Sequence, residues 1–329
     1  MSLPVIGLTL GDPSGVGAEI ILRLFQNPNW LPEAKFIIFG QKRILLERSE
    51  LLKLPAGWLI NNPTEKDLIL REIGKPLDRI EVGSPAAESG LASFSFFKAA
   101  VESAIKGEIQ ALVTAPISKI SWQLAGIKFR GHTEYLEHLF PEAIMSFWSR
   151  RLRLALYTHH VPMKEALARI KKKLLLKFFL NLERQLRRCN LGIEELLVCG
   201  LNPHAGEKGS IGLEEEEEIL PAVTAARSSG LKISGPFPAD TIFHKVLDKP
   251  ETMAVALYHD QALIPFKLVS FETGVNLTLG LPFVRTSPDH GTAFDLAGKG
   301  LARPESFKEA LWLAWKLTKT KTKQDKLTL

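Results

Sequence analysis

Short apolar runs alternate along the chain with longer amphipathic stretches. Six of these runs are rich in β-branched and aromatic residues, and each is followed by a Gly, Pro, His or Asn cluster and then by a stretch with helical spacing. The runs cover residues 5–10, 35–39, 110–114, 153–157, 195–199 and 252–258. This alternation predicts an α/β protein with a largely parallel sheet.

Two polar stretches are interpreted as the wet faces of helices. Between residues 164 and 189, apolar residues recur at helical spacing, so the many Lys and Arg there are expected on the exposed face of an amphipathic helix. The apolar positions are Leu174, Leu175, Phe178, Phe179, Leu182 and Leu186. Five consecutive glutamates, 214–218, are predicted to form a helical first turn, with metal binding as the alternative.

Charge distribution argues against a nucleic-acid-binding class. The 329 residues carry a formal net charge of +6. The segment 164–189 has nine Lys or Arg against two Glu, and 316–329 has five Lys against one Asp, so the remainder carries −5. Neither segment interleaves aromatic residues with the charges as a base-stacking surface would, and the second is interpreted as a frayed tail.

The cysteine count and the N-terminal sequence predict a cytoplasmic location. Cys189 and Cys199 are the only cysteines, too few for a disulfide framework or a Cys-rich zinc site. The first residues lack the pattern of a signal peptide, and no window approaches 18 uncharged apolar residues. No membrane partner is therefore expected.

Three histidines follow predicted strands: His160, His204 and His259. In open α/β sheets, ligands bind outside the carboxyl ends of the strands. Three imidazoles at one edge predict a divalent-metal site with an open position for a substrate oxygen, although a structural role is the alternative for each histidine alone. His159 competes with His160, and if the strand continues to His159, only one of the two side chains faces the site.

A second group of residues has the chemistry of an anion site. Phosphate or carboxylate is bound by a bidentate Arg, a Lys point charge and hydroxyl or imidazole donors. The candidates are His132, Thr133, Lys267, Asn276 and Arg285. Lys267 and Arg285 lie among apolar residues, which predicts a partner for each rather than free surface exposure.

Two glycine-rich segments are candidates for cofactor binding. The first, GDPSGVGAEI, places Gly11 and Asp12 between a strand and a helix, but its spacing is that of neither a P-loop nor a Rossmann fingerprint. The second, SPDHGTAFDLAGKG at 287–300, suits close packing against a flat ring and its ribose, with a plain loop as the alternative.

Together these motifs resemble a known family. GDPSGVGAEI, THHVP, CGLNPHAGE, PADT, YHDQALIPFK and GVNLTLGLPFVRTSPDHGTAFDLAGKG occur in this order over nearly the whole chain. They are similar to the 4-hydroxythreonine-4-phosphate dehydrogenase family of vitamin B6 biosynthesis, within the isocitrate and isopropylmalate dehydrogenase superfamily. The resemblance implies a two-lobed α/β fold with an active-site cleft between the lobes. It also implies a homodimer whose interface completes the site, and it leaves open that one metal ligand comes from the partner chain.

The resemblance also assigns the lobes and the residues. Residues 1–125 plus 263–329 would form the dinucleotide-binding lobe, and 126–262 the lobe for metal, substrate and dimerisation. The implied metal ligands are His160, His204 and His259, binding one Zn²⁺, Mg²⁺ or Co²⁺. The implied substrate contacts are His132, Thr133, Lys267, Asn276 and Arg285, and the implied NAD or NADP contacts are Gly11, Asp12, His290, Gly291, Thr292 and Asp295.

The implied reaction is oxidation of the C3 alcohol of 4-phosphooxy-L-threonine, followed by loss of carbon dioxide to give 3-amino-2-oxopropyl phosphate. Either Lys267 or Asp240 would take the hydroxyl proton. The alternatives are the same chemistry on a 4-phosphorylated sugar acid such as erythronate 4-phosphate, a non-catalytic phosphate- or nucleotide-binding protein, and nucleic-acid binding through the helix at 164–189.

Overall fold

The chain forms two compact units in the computed structural model, which describes residues 3–57 and 68–324. Unit 1 comprises Met1–Pro141 and Leu281–Leu329, and unit 2 comprises Glu142–Gly280. Residues 126–141 thus lie in unit 1, where Tyr135 packs its ring 5.5 Å from that of Phe97. Residues 263–280 lie in unit 2, where Phe266 is fully buried in the core. Packing of these segments places the boundaries about 16–18 residues beyond the predicted ones.

Unit 1 is built on parallel strands in the order β3–β2–β1–β4–β11. The strands are β1 (Val5–Thr9), β2 (Lys35–Gly40), β3 (Leu68–Glu72), β4 (Ala111–Thr114) and β11 (Val284–Pro288). The helices are α1 (Gly17–Gln26), α2 (Lys42–Leu52), α3 (Ala87–Ile105), α4 (Lys119–Leu124), α5 (His132–Leu139) and α11 (Glu305–Gln324), with a 3₁₀ turn at Pro28–Trp30. Strands β1 and β4 are almost wholly buried, as expected for a parallel sheet covered on both faces.

Unit 2 has a mixed sheet in the order β10–β5–β6–β9–β7–β8. Its strands are β5 (Ile144–Trp148), β6 (Arg153–Leu156), β7 (Glu195–Cys199), β8 (Ile233–Phe237), β9 (Thr252–Ala256) and β10 (Val275–Leu279). Its helices are α6 (Met163–Ala168), α7 (Lys172–Arg188), α8 (Leu220–Ser228), α9 (Ile242–Val246) and α10 (His259–Ser270), with helical turns at Pro203–Gly209 and Glu215–Ile219. Strand β5 is antiparallel to β6 and β10, whereas β6, β9, β7 and β8 run parallel.

The six predicted strands correspond to β1, β2, β4, β6, β7 and β9, and the largely parallel α/β class is confirmed. The amphipathic helix is α7, which buries Leu175, Phe179, Leu182 and Leu186. The segment interpreted as a frayed tail is helical to Gln324, and residues 325–329 lie outside the described part. Cys189 and Cys199 do not form a disulfide. Among the described residues, no helix combines the length and apolarity needed to cross a bilayer.

Candidate functional site

His160 and His259 meet at the carboxyl edge of the unit 2 sheet. Strands β6 and β9 are parallel neighbours, and each histidine follows its strand by three or four residues. Their ring centroids are 5.7 Å apart, and both rings line a cavity of about 280 Å³ together with His159 and Tyr258. Two of the three histidines that follow predicted strands therefore lie together at one edge of the sheet.

The expectation that only one of His159 and His160 faces this site does not hold. It assumed that the strand continues to His159, but β6 ends at Leu156. Strand alternation therefore does not govern the two rings, which lie 5.2 Å apart and line the same cavity.

His204 lies on a left-handed turn at Pro203–Gly209. Residues 204–208 all have positive φ, including the non-glycine residues His204 (53°), Ala205 (55°), Glu207 (42°) and Lys208 (55°). This conformation costs roughly 1–2 kcal/mol for each non-glycine residue because Cβ crowds the following carbonyl. A run of such residues therefore persists only where the surrounding contacts hold it.

The acidic run supplies such contacts through Glu214 and Glu215, a role that the sequence did not reveal. Glu215 is buried beneath the turn, and Glu218 accepts hydrogen bonds from Lys171 Nζ (2.8 Å) and the Lys172 N–H (2.6 Å) at the start of α7. Glu216 and Glu217 are exposed to solvent. The run opens with a π-helical turn, Glu215–Ile219, rather than a plain helical first turn. In the sequence, this close packing against Glu214 and Glu215 is indicated by the nearby glycines Gly200, Gly206 and Gly212.

Two of the three candidate metal ligands have a carboxylate on Nδ1. His204 Nδ1 lies 2.7 Å from Glu207 Oε1, and His259 Nδ1 lies 2.7 Å from Asp260 Oδ1. Metal-ligating histidines commonly bind a carboxylate through one nitrogen, which leaves the other for the metal. The donor set therefore fits a divalent cation that accepts imidazole ligands.

The described residues of one chain do not form a complete three-ligand group. Among residues 3–57 and 68–324, no three His, Cys, Asp or Glu side chains are arranged to hold a metal ion. His204 is instead exposed, and the hydrogen bond and charge of Glu207 raise its pKa, with a smaller contribution from Asp240. The candidate base Asp240 is thus close enough to His204 to influence it electrostatically.

Arg285 is a buried cation of unit 1. In the register of β11 with β4, Arg285 is paired with Leu112, so its side chain shares a face with Thr114 two residues on. Its Nη2 lies 2.7 Å from Thr114 Oγ1 and 3.2 Å from His132 Nδ1. Burial lowers the pKa of Arg285 to about 10, and both of these partners are neutral.

The contact with Arg285 defines the tautomer of His132. A guanidinium only donates hydrogen bonds, so Nδ1 accepts and the proton lies on Nε2. Burial, and secondarily the charge of Arg285, lowers the pKa of His132 well below its usual value of 6.5. The ring packs 4.3 Å from that of Phe97, and the inaccessible Nε2 has no hydrogen-bond partner among the described residues. His132 is therefore a neutral imidazole at physiological pH.

The other predicted substrate contacts divide between the units. Thr133 follows His132 in α5 of unit 1, whereas Lys267 (α10) and Asn276 (β10) belong to unit 2. The buried apolar setting expected for Lys267 is wrong: it lies on the exposed face of α10, where Ile264 and Leu268 are also exposed. The same expectation holds for Arg285, which is 2% exposed.

The turn around Gly11 and Asp12 packs against the second glycine-rich segment. Gly11 has φ +69°, and a Cβ there would lie 2.3 Å from Pro116 O. The Val16 N–H donates to Thr292 O at 3.1 Å, and the Asp12 N–H donates to Pro116 O at 2.9 Å. Burial raises the pKa of Asp12, against the hydrogen bonds that it accepts, among them one from the Ser14 N–H. The structure thus brings together the two segments predicted to bind the cofactor, with these backbone donors already engaged.

The second glycine-rich segment, 287–300, is partly exposed. His290 and Thr292 are half-buried, and Gly291 and Asp295 are exposed. His290 Nδ1 lies 2.9 Å from Gly291 O, and the Asp289 N–H donates to Ser306 Oγ at the start of α11. Their contacts with a dinucleotide remain predictions.

Comparison with known proteins defines the class. The chain is 40% identical over 330 aligned positions to a 4-hydroxythreonine-4-phosphate dehydrogenase of Desulforapulum autotrophicum, covering 94% of both chains. It is 38% identical to a putative D-threonate 4-phosphate dehydrogenase of Oceanobacillus iheyensis, covering 97% of this chain and 99% of the other. The crystal structure of a 4-hydroxythreonine-4-phosphate dehydrogenase from Klebsiella pneumoniae superposes with a TM-score of 0.79 at 34% identity, covering 96% of this chain and all of that one. The chain is therefore an oxidoreductase of the α/β dehydrogenase class.

The family model for the pyridoxal phosphate biosynthetic protein PdxA matches residues 33–314. The chain belongs to this family, as the sequence motifs predicted.

Proposed function

We propose that the protein oxidises the C3 alcohol of 4-phosphooxy-L-threonine with NAD or NADP in the cytoplasm. The product, 2-amino-3-oxo-4-phosphooxybutanoate, loses its carboxyl group as carbon dioxide to give 3-amino-2-oxopropyl phosphate. The observation that carries this proposal is that His160 and His259 line one cavity. The chain that places them there is 40% identical to a 4-hydroxythreonine-4-phosphate dehydrogenase.

The chemistry of the candidate residues suggests which of them would bind the substrate and which the dinucleotide. Arg285, His132 and Thr133 would bind the anionic groups of the substrate, since a guanidinium and N–H or hydroxyl donors suit phosphate. Lys267 and Asn276 would orient the amino-acid end. Gly11, Asp12, His290, Gly291, Thr292 and Asp295 would hold the dinucleotide, whose nicotinamide accepts the hydride from C3.

His160, His204 and His259 would hold one divalent metal ion, Zn²⁺, Mg²⁺ or Co²⁺. When bound, such an ion lowers the pKa of a nearby alcohol and stabilises the negative charge that develops on its oxygen. Lys267 or Asp240 would accept the hydroxyl proton.

A homodimer would complete the metal site. His160 and His259 meet within one chain, whereas His204 lies on an exposed turn outside that group. A second copy could therefore supply His204 to the cavity of the first. This arrangement follows the twofold symmetry of most homodimers, in which each copy gives what it receives.

Formation of NADH or NADPH from 4-phosphooxy-L-threonine, followed at 340 nm with and without a chelator, tests the proposal. We expect chelation or His204→Ala to reduce the rate at least about 100-fold, and added Zn²⁺ or Co²⁺ to restore the chelated wild type. His138→Ala changes an exposed histidine of α5 and should leave the rate unchanged. Chelator-resistant activity in His204→Ala would exclude the metal assignment.

A second substrate is favoured by one comparison. The 38% identity to a putative D-threonate 4-phosphate dehydrogenase supports oxidation of a 4-phosphorylated sugar acid at the same site. Steady-state kcat/KM values for 4-phosphooxy-L-threonine, D-threonate 4-phosphate and D-erythronate 4-phosphate, measured side by side, identify the preferred substrate. A sugar-acid preference of tenfold or more, about 1.4 kcal/mol, would replace the amino-acid assignment.

A further inference from the structure

A single buried carboxylate anchors the strand end that leads into the His204 turn. Glu215 is 1% exposed. Its Oε1 accepts hydrogen bonds from the N–H groups of Leu201 and Asn202, both at 2.7 Å, and its Oε2 accepts one from Asn202 Nδ2 at 2.8 Å. Hydrogen bonds to an ionised acceptor are among the stronger ones in proteins. Glu215 therefore fixes the two residues that directly precede Pro203 and His204.

The turn also closes directly onto this carboxylate. A Cβ at Gly206 would lie 2.8 Å from Glu215 Oε2, and one at Gly200 would lie 3.3 Å from Oε1 and 2.9 Å from the Ala205 Cβ. Glycine at these two positions allows an approach that any side chain would block. The carboxylate therefore fills the concave side of the turn.

Asn202 connects Glu215 to the residues with positive φ, because it is hydrogen-bonded to both. Its Nδ2 is shared between Glu215 and Glu214 Oε2 (2.7 Å), and its carbonyl accepts the N–H of Ala205 at 3.0 Å. The non-glycine residues of the turn disfavour positive φ, so their conformation depends on such external contacts. Without Glu215, the peptide groups of Leu201 and Asn202 lose their acceptor and the turn can relax.

We propose that Glu215 is a positioning residue that holds the left-handed turn, and with it His204, in the conformation that binds the metal ion. This inference rests on the proposed function for the identity of the bound group. Glu215 is not itself assigned as a ligand, because both of its oxygens already accept hydrogen bonds from the loop. The acidic run thus contributes to the site through one buried member and not through its total charge.

The same run provides a matched control. Glu216 is the next residue, carries the same charge and is exposed to solvent. Glu215→Gln and Glu216→Gln therefore make the same chemical change at a buried and at an exposed position. Asn202→Ala is a milder second variant, because it removes the side-chain hydrogen bonds and leaves both backbone bonds to Glu215.

Two measurements on these variants test the inference. Amide hydrogen exchange of the metal-free protein reports on the turn alone, and titration with Co²⁺ or Zn²⁺ against a competing chelator gives the metal affinity. In Glu215→Gln an amide oxygen can still accept from the N–H groups of Leu201 and Asn202, but the charge is lost and the new NH₂ group faces Asn202 Nδ2, which is also a donor. We therefore expect exchange at Leu201 and Asn202 to accelerate about tenfold or more, and metal affinity to fall about 10–100-fold. Activity at saturating metal should recover. Asn202→Ala should show smaller changes in the same direction, and Glu216→Gln should match the wild type.

The outcomes separate this inference from the proposed function. Wild-type exchange at 201–209 in Glu215→Gln, unchanged metal affinity, or faster exchange spread equally through β1 and β4 of unit 1 would each overturn the positioning role. If Glu215→Gln does not fold, wild-type exchange and affinity in Asn202→Ala overturn it instead. Failure of the wild type to bind metal would refute the metal assignment itself, and that result appears without any variant.

Discussion

At the scale of single residues, Arg285 is a buried guanidinium held by two side-chain hydrogen bonds. Its Nη2 has two neutral hydrogen-bond partners, Thr114 Oγ1 and His132 Nδ1, and the side chain is 2% exposed. Thr114→Val keeps the shape of the side chain and removes the hydroxyl acceptor, leaving a buried donor with one partner fewer. We expect the free energy of unfolding to fall by about 1–3 kcal/mol and the substrate KM to rise about tenfold. Denaturant unfolding and steady-state kinetics measure the two effects.

Thr9 provides the control for this substitution. It is the register partner of Thr114 on β1, it is 1% exposed, and its Oγ1 has no hydrogen-bond partner among the described residues. Thr9→Val removes an equivalent buried hydroxyl without breaking a hydrogen bond, so stability and KM should stay near the wild-type values or improve slightly. Equal losses in the two variants would show that the Thr114 contact with Arg285 has no special weight.

The neutral His132, whose Nε2 is inaccessible to solvent, predicts a pH dependence of stability. Its pKa is lowered in the folded protein, so below pH 6.5 the unfolded chain binds a proton that the folded chain does not. Stability from this residue is therefore fully present above pH 6.5 and is lost as the pH falls towards the folded pKa, by up to about 1.4 kcal/mol per pH unit. Unfolding free energies of the wild type and His132→Asn between pH 7.5 and 5.5 should show a shallower slope in the variant. A slope altered equally by His138→Asn, which changes an exposed residue of the same helix, would contradict this assignment.

The sequence allowed the setting of Arg285 to be predicted, but not the settings of Lys267 and Glu215, and each case has a physical reason. Arg285 was recognised because a cation inside an apolar run, Phe283 and Val284, needs a partner. The burial that the same argument assumed does not hold for Lys267, because its apolar neighbours lie on a helix whose period exposes Ile264 and Leu268 together with it. Glu215 could not be distinguished within five identical residues, since only the fold determines which of them is buried.

At the scale of elements, α10 presents an unusual surface. Ile264, Leu268 and Phe271 lie at helical spacing and are 61%, 84% and 73% exposed, and His259 begins the same helix. An exposed apolar stripe of this kind is typical of a protein–protein contact. Its continuity with a candidate metal ligand is consistent with the proposed dimer, in which the second copy reaches the cavity.

Leu268→Glu therefore tests the homodimer. A charge in the centre of the stripe should shift the protein from dimer to monomer, because burying an unpaired carboxylate in an apolar contact is unfavourable. The mass in solution, measured by light scattering during gel filtration, reports this directly. Leu301→Glu introduces the same charge at a site 62% exposed in unit 1 and should remain dimeric. A dimeric Leu268→Glu protein would place the dimer contact elsewhere.

The strands that the sequence predicts correctly are apolar runs that are followed by a helix or a helical turn, as in a parallel α/β sheet. The six recognised runs precede helices or helical turns, and their apolar residues are buried on both faces of a parallel sheet. Strand β8 was missed because Gly235 and Pro236 indicate a turn, and an edge strand tolerates both. Strand β5 was missed because it pairs antiparallel on both sides and no helix follows it before β6. Neither property can be read from local spacing.

At the scale of the whole molecule, the location of His204 distinguishes a site made by one chain from a site shared between two. His160→Ala and His204→Ala should each abolish activity. If His204 acts on the partner's cavity, a heterodimer of the two variants contains one site with all three histidines, because the intact His160 and the intact His204 come from different chains. Refolding an equal mixture should then restore about a quarter of the wild-type activity, as half of the dimers are mixed and each has one good site. A mixture that stays inactive, while its mixed dimers are shown by mass spectrometry, would place His160 and His204 of one site in the same chain and require the His204 turn to move towards His160.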